Sequence, residues 1–132
     1  MFGFYADPPH FQDYVDRWMA EFAPRLRVRA TAQRPMEWWT NRPKAMADAL
    51  ERFHSAVLAT HLCHDGSSLL TRHILNARRR VGRVGITISK EYPGSPRKID
   101  AAMAAVLAYE ARADAVAIGL NRERRTRRAY GF

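Results

Sequence analysis

Phe4-Tyr5-Ala6-Asp7-Pro8-Pro9 carries aromatic and small residues directly into an aspartate and two prolines. Phe2 to Ala6 reads as a short buried strand. Proline has no amide hydrogen to give to a ladder, so Pro8-Pro9 stops the strand and leaves Asp7 at its end. Far along the chain, Ser95-Pro96-Arg97-Lys98-Ile99-Asp100 places a second carboxylate in the opening turns of a helix. The stretches between these two segments decide the fold class.

Working outward, Phe11, Val15, Trp18, Met19 and Phe22 recur at helical spacing before Pro24, which predicts a helix of about three turns. Leu26 to Ala30 alternates apolar residues with arginine, as an exposed strand does. Met36 to Thr40 is a second short strand. Asn41 is the expected cap of the next helix, with Pro43 in its first turn. Met46, Leu50, Phe53 and Val57 form its apolar stripe, and His64-Asp65-Gly66 is expected to break it. A further helix is expected from about Ser68 to Arg79, with Leu70, Ile74 and Ala77 inward. Val84, Ile86 and Ile88 alternate with Gly85, Thr87 and Ser89, the period of a strand with one buried face. Ser95 is the expected cap and Pro96 the first residue of a last, alanine-rich helix that runs to about Ile118 and ends at Gly119.

The order strand, helix, strands, two helices, strand, helix predicts an α/β layer architecture rather than a bundle or sandwich. A chain of 132 residues suits one domain. No repeat or second domain is visible. Residues 1–120 read as the domain and 121–132, which lack apolar periodicity, as a basic tail. One cysteine excludes an internal disulfide. No apolar run is long enough to span a bilayer and no signal-peptide pattern is present, so a soluble, cytoplasmic protein is expected.

The charge is unevenly spread. Residues 1–60 hold 8 basic and 7 acidic side chains, whereas residues 61–132 hold 14 and 6. Most of the excess is arginine, whose planar fork suits phosphate. Arg78, Arg79, Arg80 and Arg83 form one cluster, and Arg122, Arg124, Arg125, Arg127 and Arg128 another. Such clusters attract nucleic-acid backbones without reading sequence. A solvated tail is the alternative for the second.

Asp7 at a strand end and Asp100 at a helix start are the candidate metal ligands. Hydrolysis of phosphodiesters by two metal ions requires carboxylates that hold divalent cations close together. Mg²⁺ and Mn²⁺ favour oxygen donors. The plainer readings are a turn residue for Asp7 and a helix-dipole partner for Asp100. Asp114 lies about 21 Å along the same helix and is too far from Asp100 to share an ion. His61, Cys63, His64 and Asp65 cluster locally but lack the paired spacings of a zinc site. His64-Asp65-Gly66 reads as a turn, and His73 as a satisfied core histidine. Neither phosphate-loop nor dinucleotide glycines are present, and no serine sits in a nucleophile elbow.

Tyr5-Ala6-Asp7-Pro8-Pro9, Trp39-Thr40-Asn41-Arg42, His64-Asp65-Gly66 with Leu70-Thr71-Arg72-His73 and Asn76-Ala77-Arg78, and the run Ser95 to Asp114 together resemble the C-terminal nuclease domain of phage terminase large subunits, above all those of actinobacterial phages and prophages. The likeness reaches the closing Tyr130-Gly131-Phe132. It implies an RNase H-like mixed sheet flanked by helices and a metal-dependent endonuclease that cuts concatemeric viral DNA during packaging. It places the family's second metal-binding acid on Asp7 and a later one on Asp100, with Mg²⁺ or Mn²⁺ as cofactor. His64, Asp65 and Lys98 are candidates for supporting that site.

The implied partners are double-stranded DNA, a portal protein, the terminase ATPase portion and the small subunit. The family's first acid lies upstream of the segment that matches here. The expectation is therefore a nuclease domain lacking its opening strands, weakly active or inactive alone. A non-catalytic DNA-binding module and a portal-docking module are the competing expectations.

Overall fold

The computed structural model describes residues 3–120. Phe2 and the arginines of 121–132 lie outside the described residues. The architecture is mixed α/β: helix α1 (Gln12–Phe22), a 3₁₀ turn (Ala23–Arg25), α2 (Pro43–Leu58), α3 (Ser68–Asn76), strands β1 (Arg78–Gly82) and β2 (Gly85–Ser89), and α4 (Asp100–Ala117). No helix among these residues is long and apolar enough to cross a membrane.

α4 is the spine. Its Leu107 and Ala111 join Tyr5 and Val28 in one buried cluster, while Val106 joins Met46, Ala49 and Leu50 of α2 in a second. Trp38 packs against both. Fully burying a side chain of this size is worth roughly 1.5–3 kcal/mol, so these contacts hold the layers together. Gly119 ends α4 as the sequence predicts. At φ +76° it lets the Leu120 amide reach the Ala115 carbonyl and its own amide reach Val116, closing the carbonyls of the last turn.

The sheet is smaller than the sequence predicts. β1 and β2 pair antiparallel, Arg78 opposite Ser89 and Val81 opposite Ile86. The expected strands Phe2–Ala6 and Met36–Thr40 meet only in a parallel bridge between Ala6 and Glu37. The Ala6 amide bonds the Met36 carbonyl at 2.8 Å and the Trp38 amide bonds the Ala6 carbonyl at 2.9 Å. Leu26 to Ala30 keeps its alternation, with Leu26 and Val28 buried and Arg27 and Arg29 exposed, but joins no ladder.

Several boundaries move for local reasons. Arg42, not Asn41, precedes the first turn of α2, and no side chain caps it. α2 stops at Leu58, short of His64, because Thr60 takes a left-handed conformation (φ +56°) and the His61 amide folds back to the Ala56 carbonyl. Ser67 caps α3 by accepting from the Leu70 amide. α3 ends at Asn76 rather than Arg79, since Arg78–Gly82 pair with β2 instead. Ile74, expected inward, is exposed, and Leu70 and Ala77 are half-buried. Ser95 does not cap α4. Its buried hydroxyl accepts from the Arg97 amide, forming a local turn, and α4 begins only at Asp100. Val84 falls in the hairpin turn, outside β2.

Candidate functional site

Asp7 follows the Ala6–Glu37 bridge and is half-buried. Both of its carboxylate oxygens are engaged by one residue. Oδ1 accepts from the Thr40 amide at 3.1 Å, and Oδ2 accepts from the Thr40 hydroxyl. The parallel bridge sets this up by running Ala6-Asp7 beside Glu37-Trp38, two residues ahead of Thr40. The two bonds fix the plane of the carboxylate, as an outer-shell partner of a metal ligand does.

Asp100 is the first residue of α4 and is exposed. The segment around it is held from α3. His73 Nδ1 accepts the Ala101 amide hydrogen at 2.9 Å, and Asn76 Nδ2 donates to the Lys98 carbonyl at 2.9 Å. His73 is thus a half-buried histidine with a defined partner. The Lys98 side chain is exposed.

The packing of α2 on α4 sets the direction of the helix that Asp100 opens. Met46, Val106 and Met103 share a cluster near the helix starts. Midway, Arg52 grips Glu110 through Nε at 3.1 Å and Nη2 at 2.5 Å, and Phe53 meets Tyr109 edge-on at 6.0 Å. Further on, Ala59, His61 and Ala113 line one open cavity. The helices therefore run in the same direction. Stepping back about 15 Å from Arg52 and Glu110 along each axis reaches Arg42 and Asp100. Thr40, which holds Asp7, lies two residues before Arg42. Asp7 is thus held just ahead of α2 and Asp100 opens α4, while Tyr5, two residues before Asp7, packs farther along α4 against Leu107 and Ala111.

Among the described residues no group of three or more His, Cys, Asp or Glu side chains gathers as a metal cage. A pair of carboxylates nevertheless suits the donor preference of Mg²⁺ and Mn²⁺. Mg²⁺ keeps several waters and takes one or two protein carboxylates together with substrate phosphates. Asp7 and Asp100 are of the right type for that role.

Two buried carboxylates, Glu37 and Glu110, are ion-paired. Buried Glu37 accepts from Arg34 Nε at 2.6 Å and Gln12 Nε2 at 2.9 Å. The Arg34 bond holds its carboxyl below the ordinary range, against the opposing effect of burial. Arg52 is held more firmly protonated by its bond to Glu110. Asp114 accepts the Tyr5 hydroxyl.

His64 and Asp65 shape a loop. His64 Nδ1 accepts from the Gly66 amide at 3.0 Å and Asp65 Oδ1 from the Ser67 amide at 2.9 Å. Both are exposed, as are His61 and Cys63.

The first arginine cluster falls on the hairpin. In a strand, alternate residues face opposite sides, and the register assigns each arginine its face. Arg78 and Arg80 share one with Thr87 and Ser89; Arg79 shares the other with Val81, Ile86 and Ile88. Ile88 packs towards α2, and every residue of β1, its three arginines included, is exposed. Arg80 is braced by Ser89 Oγ and the Glu91 carbonyl, both at 2.9 Å. Arg83 occupies the turn. Arg122, Arg124, Arg125, Arg127 and Arg128 lie outside the described residues.

Sequence reading missed three residues of this region: Thr40, and His73 and Asn76 acting on the start of α4. The second pair had a signal, since a three-residue spacing puts both on one helical face. Thr40 had none, because its partner is 33 residues away.

Over 113 residues, 84% of this chain, the sequence is 39% identical to the Gene 13 protein of Mycobacterium phage L5, and to the same degree and extent to that of Mycobacterium phage D29. The chain is homologous to a segment of these phage proteins. That segment is 19% of each relative, so the chain spans under a fifth of their length. No family model matches the chain, and no solved structure does.

Proposed function

We propose that this phage-related chain is the nuclease portion of a DNA-packaging terminase large subunit, with an RNase H-like fold and a divalent-metal site at Asp7 and Asp100. The observation that supports the reading is the fixed carboxylate of Asp7. Thr40 holds it just ahead of α2, which runs in the same direction as α4, the helix that Asp100 opens.

In this reading the Thr40 bonds keep the Asp7 carboxylate oriented, and Asp100 supplies the second oxygen donor. Bound Mg²⁺ or Mn²⁺ there supplies Lewis-acid activation of water and stabilisation of the leaving oxygen. The exposed arginines of the hairpin hold the phosphate backbone of duplex DNA. The matched segment puts the relatives at about 600 residues, enough for several domains. That length leaves room for the ATPase portion and the family's first acid outside this segment. Portal protein, small subunit and ATPase portion are the proposed partners, in the host cytoplasm.

Mn²⁺ binding, followed by loss of the free-ion electron paramagnetic resonance signal, tests the site. Asp7→Asn and Asp100→Asn should each weaken binding at least tenfold. Equal binding by both variants and the parent chain overturns the reading. With Mn²⁺ and supercoiled plasmid, the chain alone should nick slowly or not at all. Robust cutting abolished by either substitution would instead mean that these two acids suffice.

The hairpin favours a second reading, a non-catalytic DNA-binding module. Its two-stranded ribbon, with Arg78, Arg80, Thr87 and Ser89 on one face, needs no metal to bind phosphate. DNA affinity unaffected by Mn²⁺, Asp7→Asn and Asp100→Asn would select it.

A further inference from the structure

We infer that α3 is a clamp on the first turn of α4, and that His73 and Asn76 are positioning residues for Asp100; the inference rests on the metal-site reading above. α3 is a poor core element. None of its residues is fully buried, and Leu69 and Leu75 are 54% and 70% exposed. At nine residues it is also too short to be stable in isolation. What it does make are two directed bonds to the backbone on either side of Asp100. Asn76 holds the Lys98 carbonyl, and His73 accepts the Ala101 amide hydrogen.

The His73 bond answers a specific deficiency. The first amides of a helix have no partner within it. The residue before α4 is Ile99, whose side chain carries no acceptor, and no side chain caps α4 from that position. The imidazole therefore supplies, from another helix, the cap that Ile99 lacks. Ile99 itself is buried. The backbone is thus held at Lys98, Ile99 and Ala101, which leaves Asp100 little freedom beyond its own side-chain rotamers. Without these bonds the first turn frays, and a ligand at its first position is the residue most displaced. An outer-shell contact of this kind typically alters metal affinity by ten- to a hundredfold.

The test is Mn²⁺ affinity of the whole chain by electron paramagnetic resonance, with amide hydrogen exchange at Ala101 read in parallel and helix content checked by far-ultraviolet circular dichroism. His73→Ala should weaken Mn²⁺ binding about tenfold and speed exchange at Ala101. His73→Asn, whose carbonyl oxygen can accept the same amide hydrogen, should recover most of both. Asn76→Ala should act in the same direction, and serves alone if His73→Ala does not fold. Leu69→Ala, which alters an exposed side chain on α3, should leave binding unchanged.

Unchanged Mn²⁺ affinity in His73→Ala and Asn76→Ala, where Asp100→Asn abolishes binding, overturns the clamp and leaves the metal site standing. Binding that survives Asp100→Asn removes the metal site, and the clamp's purpose with it.

Discussion

The Tyr5 hydroxyl donates to the Asp114 carboxylate at 2.5 Å across 109 residues of sequence. This one bond ties the segment that carries Asp7 to the spine helix that opens with Asp100. Tyr5 is buried, and its ring packs with Val28, Leu107 and Ala111.

The bond has a pH signature. Burial, and then the bond to Asp114, raise the Tyr5 hydroxyl well above the ordinary tyrosine value. Below about pH 10 both folded and unfolded chains keep this proton. Above it the unfolded chain releases the proton while the native chain retains it, so this contribution to stability falls as pH rises. Tyr5→Phe should cost about 1–2 kcal/mol at pH 7. The gap to the parent in urea-unfolding midpoint should narrow between pH 10 and 11.5. A gap that stays constant over that range contradicts the assignment.

Glu37 works in the opposite direction. Its bond from Arg34 holds the carboxyl below the ordinary carboxylate range. The stability it contributes is complete above that range and is lost as pH falls below it, where the unfolded chain takes up the proton first. Between pH 6 and 3 the urea midpoint of the parent should fall more steeply than that of Glu37→Gln. Parallel slopes would show that Glu37 is not the group responsible.

Gly85 sets the hairpin on α2. Its φ is +129°, and an added Cβ would stand 3.0 Å from the Ala47 side chain. Gly85→Ala should cost about 1–3 kcal/mol, from backbone strain and displacement of the hairpin. Gly82, opposite Gly85 in the register, lacks both constraints, since its nearest neighbour is the Gly85 carbonyl at 3.7 Å. Gly82→Ala should change stability by less than about 0.5 kcal/mol. Thermal unfolding of the two variants separates them.

Every residue of β1 is exposed, so its three arginines carry a joint prediction. In fluorescence-anisotropy titrations of duplex DNA without divalent metal, Arg78→Ala and Arg80→Ala should each reduce the slope of log affinity against log salt by about one. Arg79→Ala, equally exposed on the other face beside Val81, should reduce it by a similar amount. Unchanged slopes in all three would show that the hairpin does not contact phosphate.

Trp38 shows how far sequence reading carried. Met36 to Thr40, expected as a strand, turns alternate residues to one side, and half-buried Trp38 packs against both buried clusters. The spacing of Val15, Met46 and Leu50 likewise foretold α1 and α2. It did not foretell which residues a helix loses to a strand. Arg78 and Arg79 continue the pattern of α3 acceptably, and only their pairing with Ser89 and Ile88 withdraws them from it.

The amino-acid sequence by itself determined the three longer helices, the alternating burial of Leu26 and Val28, the stop at Gly119 and the uneven charge. Each depends on hydrogen bonds within about four residues, on side-chain periodicity or on composition. Tertiary structure alone decided that Thr40 holds Asp7, that His73 and Asn76 hold the start of α4, and that Arg78 and Arg80 share a face with Thr87 and Ser89. Those contacts join residues tens of positions apart, or across a strand register. Their free energy exists only once the chain has closed the intervening loops.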